Sequence, residues 1–376
     1  MERRQEPGIR VGMTAALTGR YSGPGRQALA GVQAWIEDTN RTGGLWLRDR
    51  GGRLPLRLTY YDDTSSAERC GALTERLIVE DQVDLLLGPY ASALTRRAAA
   101  VAYHYRRVLW NHGGAAEAVY TAGSGWVVGI LTPASRYFHG VLDFIRMAYP
   151  AARRVAMVHS SAGAFPQEVA TGAEQYCRER GFEAVGTYTY TPETVDFAPL
   201  FGQLASDQPD VLLGVGRIEN DLRLATQWLN TGLTVAAVGL IATPLALFRD
   251  VLGDAADGFL GPSQWEPGII TAPDYGPSSE EVLSSLLAQG ATGVDYPMAQ
   301  AYAGCLVAQR CIEEAGSLDQ QALRQVASRL ACTTFYGRYK IDPASGRQLG
   351  HVMPVVQWRG GIKAVVWPPE MRTQSV

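Results

Sequence analysis

The sequence has 376 residues, more than one ordinary hydrophobic core accommodates, and this length favours two globular units. Hydrophobic residues make up 46% of the chain and charged residues 19%, which predicts a folded globular protein and excludes a disordered one. The formal net charge of -3 provides no strong field for nucleic acid or an anionic membrane, so neither is expected as a partner.

The sequence also bears on the location of the protein and on the role of its cysteines. The longest apolar stretch, residues 235–248, is interrupted by Thr243 and Pro244 and is too short to span a bilayer. The N-terminus lacks the apolar core and cleavage site of a secretory signal, which leaves two expectations. The protein is cytoplasmic, or a signal was removed and the protein is periplasmic or extracellular. The five cysteines form no CxxC pair, so most are expected to be small buried residues and no metal site is predicted.

The first half of the chain alternates short β-branched or leucine-rich runs with longer amphipathic stretches, a pattern typical of βαβ units in a parallel sheet. The predicted strands are residues 9–15, 54–59, 83–87, 107–111 and 126–131. The predicted helices are residues 24–39, 64–80 and 92–105.

The same alternation restarts after residue 131. It predicts strands at 155–160, 184–190, 211–216 and 235–242 and helices at 165–180, 197–206 and 219–230. From residue 258 the pattern changes to a strand at 259–264, helices at 280–290, 296–314 and 319–330, and strands at 336–341, 353–358 and 362–367. We interpret the late helices as part of the first lobe. The fold class is therefore α/β, with two doubly wound lobes in succession.

Patterns that would indicate an enzyme are poorly matched. Gly23, Gly25 and Ala28 fit the spacing of a dinucleotide-binding loop, but a long loop stands where a tight turn is needed, and the expected acid comes too late at Asp62. The sequence has no nucleophile elbow and no helical pair of histidines. We expect no catalytic residue and no cofactor, with a nucleotide-dependent enzyme as the remote alternative.

The segment after the third predicted strand carries the first half of a predicted binding site. Tyr90, Ala91 and Ser92 stand between this strand and the N-terminus of the next helix, where free N–H groups favour an anion. Ser92 is placed to contact a carboxylate or amide oxygen. The alternative is that Ser92 only caps the helix.

The loop after the fourth predicted strand lies at the same sheet edge. It consists of Asn111, His112, Gly113, Gly114 and Ala115, and its glycines allow a ligand to approach the backbone. His112 is interpreted either as a donor to the ligand or as an ordinary surface histidine.

In the second half of the chain, Phe165, Arg217 and Glu219 follow the corresponding strands. Arg217 offers a planar pair of donors to a carboxylate, and Glu219 offers an acceptor to an ammonium or amide. The alternative for both charges is a solvated loop.

Several short motifs occur in a fixed order along the chain. They are Leu17-Thr18-Gly19, Asn40 with Gly43-Gly44, Tyr61-Asp62-Asp63, the segment 88–92, the segment 230–233, Thr333-Thr334 with Tyr336-Gly337, and Val356-Gln357-Trp358 with Gly360-Gly361 and Trp367-Pro368. This order, from residue 9 to residue 368, resembles the Leu/Ile/Val-binding family of type I periplasmic binding proteins, the receptors of ABC importers.

The resemblance implies two α/β lobes joined by three hinge crossings, near 128–133, 256–263 and 336–345, with the ligand cleft between the lobes. The N-terminal lobe is then 1–129 plus 259–338, and the C-terminal lobe is 130–258 plus 339–376. It also implies a non-enzymatic, extracytoplasmic substrate-binding protein that takes an amino-acid-like, carboxylate or amide solute and works with ABC permease subunits.

The resemblance further assigns roles within the site. Ser92 holds the carboxylate together with the loop 113–115, and Phe165 covers the ligand. Three departures from the pattern of amino-acid binders predict another solute. Ala115 replaces a threonine, Arg217 replaces an aromatic residue, and Ile241 or Ala242 stands in place of a carboxylate.

Tyr90 and Trp110 also resemble the aromatic-lined cleft of the amide-binding regulators in this superfamily, which are cytoplasmic. This likeness gives the alternative function, a cytoplasmic sensor of an amide or urea.

Overall fold

The computed structural model describes residues 8–269, 271–290 and 293–373. Up to residue 131 the elements are β1 (Ile9–Ala15), α1 (Ser22–Arg41), β2 (Leu45–Leu47), β3 (Gly52–Leu54), β4 (Leu56–Asp62), α2 (Ala67–Val79), β5 (Leu85–Leu87), α3 (Ser92–His104), β6 (Leu109–Asn111), α4 (Glu117–Gly123) and β7 (Val127–Gly129). From residue 132 to 269 they are α5 (His139–Ala148), β8 (Arg154–Ser160), α6 (Ala164–Arg180), β9 (Glu183–Tyr190), α7 (Ala198–Asp207), β10 (Val211–Val215), α8 (Ile218–Trp228), β11 (Ala237–Leu240), α9 (Ala246–Leu252) and β12 (Leu260–Pro262). The remainder contains α10 (Ser279–Leu287), α11 (Tyr296–Ala315), α12 (Gln320–Arg329), β13 (Ala331–Thr334), β14 (Gly337–Lys340), β15 (Val355–Arg359) and β16 (Ile362–Trp367).

The chain divides into two compact units. The first unit is residues 1–131 with 270–352, and the second unit is residues 132–269 with 353–376. The chain therefore passes from one unit to the other three times, and the first passage comes after residue 131.

The other two passages come later than the predicted lobe bounds at 258 and 338. The second comes after residue 269 because β12 pairs with β11 and β15, which keeps residues 259–269 in the second unit. The third comes after residue 352 because β14 pairs with β13 in the first unit. Gln348 strengthens this placement, since its side-chain amide donates to the carbonyl oxygen of Ile130.

The first unit is built on a parallel sheet with strand order β4-β1-β5-β6-β7. Its central strand β5 is the run Leu85–Leu87, which is buried throughout, as expected for a strand covered on both faces. On one side α1 packs closely against α11, since a Cβ at Gly31 would lie 2.1 Å from the carbonyl oxygen of Met298. The late helices α10 to α12 thus belong to this unit.

The second unit has the strand order β16-β15-β12-β11-β10-β8-β9. Strands β8 to β12 are parallel, and β15 and β16 add an antiparallel edge. One core cluster fills the space between this sheet and its helices, with Phe197, Phe248 and Trp228 among its largest members. Both units are therefore open α/β sheets of the predicted class.

Six of the described elements have no counterpart among the predicted ones: the hairpin strands β2 and β3, the helices α4, α5 and α9, and the strand β13 as a separate element from β14. Most of them are short, with three or four residues in each strand and seven in α4 and α9. None of the helices in the described residues is long and apolar enough to cross a membrane.

Candidate functional site

The carboxyl ends of β1, β4, β5 and β6 meet at one edge of the first sheet because these strands are parallel. In open parallel sheets, the loops at this edge form the ligand-binding surface. The relevant loops are residues 16–21, 63–66, 88–91 and 112–116.

The loops after β1 and β4 are joined by hydrogen bonds to Asp62. Its Oδ1 atom accepts from the N–H groups of Leu17 and Thr64, at 3.0 and 2.8 Å, and Oδ2 accepts from the Thr18 hydroxyl at 2.7 Å. Burial raises the pKa of this carboxyl, but these bonds outweigh it and hold the pKa below its usual value. Asp62 therefore positions two loops.

The glycines of the apparent dinucleotide-binding motif have a packing role here. Gly25 lies inside α1, and a Cβ at this position would come 2.2 Å from the carbonyl oxygen of Ala16. A Cβ at Gly23 would meet open space. The helix thus approaches the strand end closely, which explains Gly25 without a nucleotide.

The segment 88–92 holds an unusual backbone conformation at Ala91. Its φ is 81°, which favours glycine and costs a residue with a side chain about 1–3 kcal/mol. Three bonds hold it in place. The N–H of Ala91 donates to the carbonyl oxygen of Gly113 at 3.1 Å, and the Thr95 hydroxyl lies 3.0 Å from both the Ala91 and Pro89 carbonyl oxygens.

Ser92 is the first residue of α3, and its side chain is half-buried. Its Oγ atom accepts a hydrogen bond from the N–H of Ala116 at 3.1 Å, so its hydroxyl proton remains available to a second acceptor. The first N–H groups of a helix have no partner within the helix and carry partial positive charge. Ser92 therefore joins two loops and presents donors suited to an anion.

Asn111, at the end of β6, shapes the loop 112–116. Its Oδ1 atom accepts from the N–H groups of Gly113 and Gly114 at 3.1 and 2.8 Å, and its amide nitrogen donates to the Gly114 carbonyl oxygen at 2.8 Å. A Cβ at Gly113 would lie 2.3 Å from the Pro89 carbonyl oxygen, so glycine is required where the two loops meet. Ala115 is buried beside them.

Two predicted ligand contacts are buried beneath this surface. Trp110 is 1% exposed and His112 is fully buried. Burial lowers the pKa of His112 to about 4, against smaller opposing effects of the backbone of Gly88 and of His112 itself, which do not meet hydrogen-bonding geometry with the ring, so the imidazole is neutral at pH 7. Neither side chain faces bulk solvent. Tyr90 is half-buried, and its hydroxyl lies 3.3 Å from that of Tyr296.

In the second unit, Phe165 lies at the N-terminus of α6 and is half-buried. Its ring packs edge-on against the ring of Tyr137 with centroids 5.1 Å apart, and the Tyr137 hydroxyl accepts from the Gln264 amide at 2.9 Å. Phe165 thus has a fixed aromatic support within its own unit.

Arg217 and Glu219 lie where β10 meets α8. Arg217 is half-buried at the residue before the helix, and Glu219 is exposed in the first turn. The fully buried acid of this turn is Asp221, whose Oδ2 atom accepts from the N–H of Ala242 at 3.1 Å. Burial raises the pKa of Asp221 to about 8, and further backbone bonds from Ile241 and Gly216 oppose this rise.

The structure thus brings Tyr90, Ala91, Ser92 and the loop 112–115 together at one edge of the first unit, and places Arg217 and Glu219 at the equivalent edge of the second. Prediction from sequence missed Asn111 and Asp221 as the residues that position these loops. Asn111 directly precedes the glycine loop, which was a usable signal, whereas nothing in the sequence marks Asp221 as buried. The described residues contain no cluster of three or more potential metal ligands among His, Cys, Asp and Glu.

Comparison with known proteins gives one family match. A family model described as periplasmic binding protein matches residues 8–362, nearly the whole chain.

Solved structures with the same fold extend this result. A leucine-binding protein from Thermotoga maritima is 17% identical, with a TM-score of 0.80, and 95% of this chain and 97% of that chain are covered. A solute-binding protein of an ABC transporter from R. palustris, solved with benzoate, is 16% identical with a TM-score of 0.78, and the coverage is 96% and 95%. A branched-chain amino acid transporter substrate-binding protein from Streptococcus pneumoniae, solved with isoleucine, is 14% identical with a TM-score of 0.79, and the coverage is 95% and 98%. At these identities the likeness shows the fold.

Proposed function

Because the chain belongs to the periplasmic binding protein family, we propose that it is the solute-binding component of an ABC importer and binds a small carboxylate at the Ser92 edge of its first unit. Proteins of this family bind solutes and are not enzymes, and this chain is likewise not an enzyme. The carboxylate contacts are the hydroxyl of Ser92, the first N–H groups of α3 and the backbone of the loop 112–115.

The observation that carries this proposal is the junction of the two loops at Ser92. Ser92 accepts from Ala116, and Gly113 accepts from Ala91, so both loops are held in place before any ligand arrives. Donors that are already fixed lose little conformational freedom on binding, which favours affinity. The strained φ of Ala91 is consistent with a functional constraint, because such conformations cluster at binding sites.

The proposed solute class rests on the prediction that charged residues of both units contact the solute. An α-amino acid needs a carboxylate near its ammonium group, since a buried unpaired ammonium costs several kcal/mol. Asp221 is buried, bonded to its own backbone and predominantly protonated at pH 7. Arg217 adds a cation at the strand edge of the second unit. Glu219 is the other acid of this edge and is exposed, so we favour a carboxylate without an α-ammonium group over an amino acid whose ammonium would rest on Glu219. Contact of Phe165, Arg217 and Glu219 with the solute stays a prediction.

A ligand screen tests the proposal. Thermal-shift measurements with benzoate, 4-hydroxybenzoate, leucine, isoleucine, acetamide and urea should show stabilisation by a carboxylate, because a ligand at one hundred times its Kd adds about 2.7 kcal/mol. Titration calorimetry then gives the affinity. Ser92→Ala should weaken the confirmed ligand about tenfold. Ser328→Ala on α12 is the control and should leave the affinity unchanged.

Two results would contradict the proposal. The first is the absence of any shift with every carboxylate tested. The second is an unchanged affinity in Ser92→Ala. This result would show that the solute does not bind at Ser92, although the chain would still belong to the family.

The importer role requires partners and a location. We propose that ABC permease subunits recognise the loaded protein and that it works outside the cytoplasmic membrane, as the family name indicates. Ligand-dependent stimulation of the cognate ATPase in proteoliposomes would support this role. Equal ATPase rates with and without the solute would contradict it.

A further inference from the structure

Among the buried side chains of the first unit, three on neighbouring elements hold polar atoms that make no hydrogen bond within the described part of the chain. They are Trp110, with its indole nitrogen, His112, with both ring nitrogens, and Gln300, with its amide oxygen. All are at most 1% exposed. A buried polar atom without a partner costs about 1–3 kcal/mol, so such a group of them requires a physical reason.

Trp110 in β6, His112 directly after β6 and Gln300 in α11 belong to segments that pack against each other. Side chains alternate along a strand, and Asn111 bonds to Tyr120 of α4 on the opposite side. His112 faces α11, since a Cβ at Gly304 would lie 3.2 Å from the His112 Cβ. Trp110 shares this side by the alternation.

Gln300 occupies the same face of α11. Tyr296, Gln300 and Gly304 are spaced by four residues, which places them in one row along the helix. The two ends of the row contact the loops of the site, because Tyr296 reaches the Tyr90 hydroxyl and Gly304 packs against His112. Gln300 therefore lies between these two contacts along α11.

The unpartnered atoms have mixed hydrogen-bonding character. The Trp110 indole donates, the Gln300 oxygen accepts, and a neutral imidazole has one donor and one acceptor. Burial keeps His112 neutral at pH 7. A carboxylate only accepts and an ammonium only donates, so neither satisfies this set, and a buried charge without a counter-ion is costly. A hydroxyl, a carboxamide or a water molecule both donates and accepts.

From this arrangement we propose that Trp110, His112 and Gln300 form a buried subsite for one neutral group that both donates and accepts hydrogen bonds. The group is a hydroxyl or carboxamide of the solute, which rests on the proposed function, or a water molecule, which does not. In the first case the subsite selects carboxylates that carry such a group over those that lack it.

Paired ligands and a matched pair of variants test the subsite. We would measure Kd by calorimetry for benzoate against 4-hydroxybenzoate and for butyrate against 4-hydroxybutyrate. A solute group in the subsite predicts that the wild type binds one hydroxylated acid about tenfold tighter than its partner and that Gln300→Leu binds both about equally. Gln309→Leu on the same helix removes a bond to Trp35 and should keep the preference.

A high-resolution crystal structure provides the second arm, which needs no solute. A water bonded to Gln300 and His112 in the wild type and absent in Gln300→Leu supports the subsite with water as its occupant. If the hydroxyl preference is insensitive to Gln300→Leu and no water bonds these residues, the subsite does not exist. If no carboxylate binds at all, the proposed function fails. The crystal structures then still determine whether a water molecule occupies the subsite.

Discussion

The buried acid Asp221 should make the stability of the second unit fall as the pH rises. Its pKa is raised to about 8 in the folded protein, against about 3.9 in an unfolded chain. Between these values the folded state holds a proton that the unfolded state has lost, so the free energy of unfolding decreases with pH. Asp221→Asn removes this titration and imitates the protonated acid.

The size of the effect depends on His139 of the same unit. Burial, with a smaller contribution from the charge of Arg136, lowers the pKa of His139 to about 4. Below pH 6.5 the unfolded histidine binds a proton that the folded one does not, so this group stabilises as the pH rises and offsets Asp221. From pH 6.5 to 8 the effect of Asp221 is the larger one, although the unfolded histidine is still half protonated at pH 6.5 and the folded Asp221 is half ionised at pH 8. One pKa unit corresponds to about 1.4 kcal/mol, so the free energy of unfolding should fall by about 1 kcal/mol in this window.

Hydrogen exchange of peptides from β10 and β11, followed by mass spectrometry, reports the opening free energy of the second unit alone. We expect the fall between pH 6.5 and 8 in the wild type, after correction for the intrinsic exchange rate. It should be absent in Asp221→Asn. The control is Glu193→Gln, an exposed acid of the same unit, which should retain the wild-type fall. An equal fall in Asp221→Asn would refute the reasoning.

Three further predictions concern the first unit, each measured by urea unfolding. Asn111→Ala removes the bonds to both loop glycines, so it should cost about 2–4 kcal/mol, and a cost under 1 kcal/mol would contradict the role of Asn111. Gly113→Val forces the two loops apart, so it should destabilise the unit and weaken carboxylate binding. An unchanged affinity would show that the contact between Gly113 and Pro89 is not part of the binding site. Gly31→Ala should lower the free energy of unfolding by more than 1 kcal/mol, because the added Cβ meets the backbone of Met298. The control is Gly23→Ala in the same helix, whose Cβ meets open space, and it should be neutral or stabilise by about 0.5 kcal/mol.

The fold was largely predictable because long periodic segments carry it. The predicted bounds of β1 and β16 equal the observed ones, and α3 and α6 differ by one residue. Short elements were missed where three to seven residues show no full period. The helix α5 was an avoidable omission, since Val141, Leu142 and Ile145 are spaced for one buried face. The boundary near residue 258 was placed too early because β12 has only three residues, and its pairing with β15 depends on a strand almost one hundred positions later.

For the candidate site, the sequence predicted where its residues lie in the fold better than it predicted the role of each residue. Strand ends in the sequence located Ser92 and the loop 112–115, because parallel strands end at one edge of a sheet. They could not show that Trp110 and His112 are buried, since this depends on α11, a distant segment. Asp221 was missed for the same reason. Its bonds to the backbone after β10 and β11 arise only when these strands are side by side.

The packing of α1 against α11 has a consequence for synthesis on the ribosome. The helix α11 emerges only after all of residues 132–269 have been made, so the first unit lacks one wall of its core during most of translation. The second unit likewise awaits β15 and β16 at the very end of the chain. Neither unit can complete its fold while the chain is nascent, and apolar surface stays exposed until release. We therefore expect the nascent chain to be prone to aggregation until α11, β15 and β16 have been made.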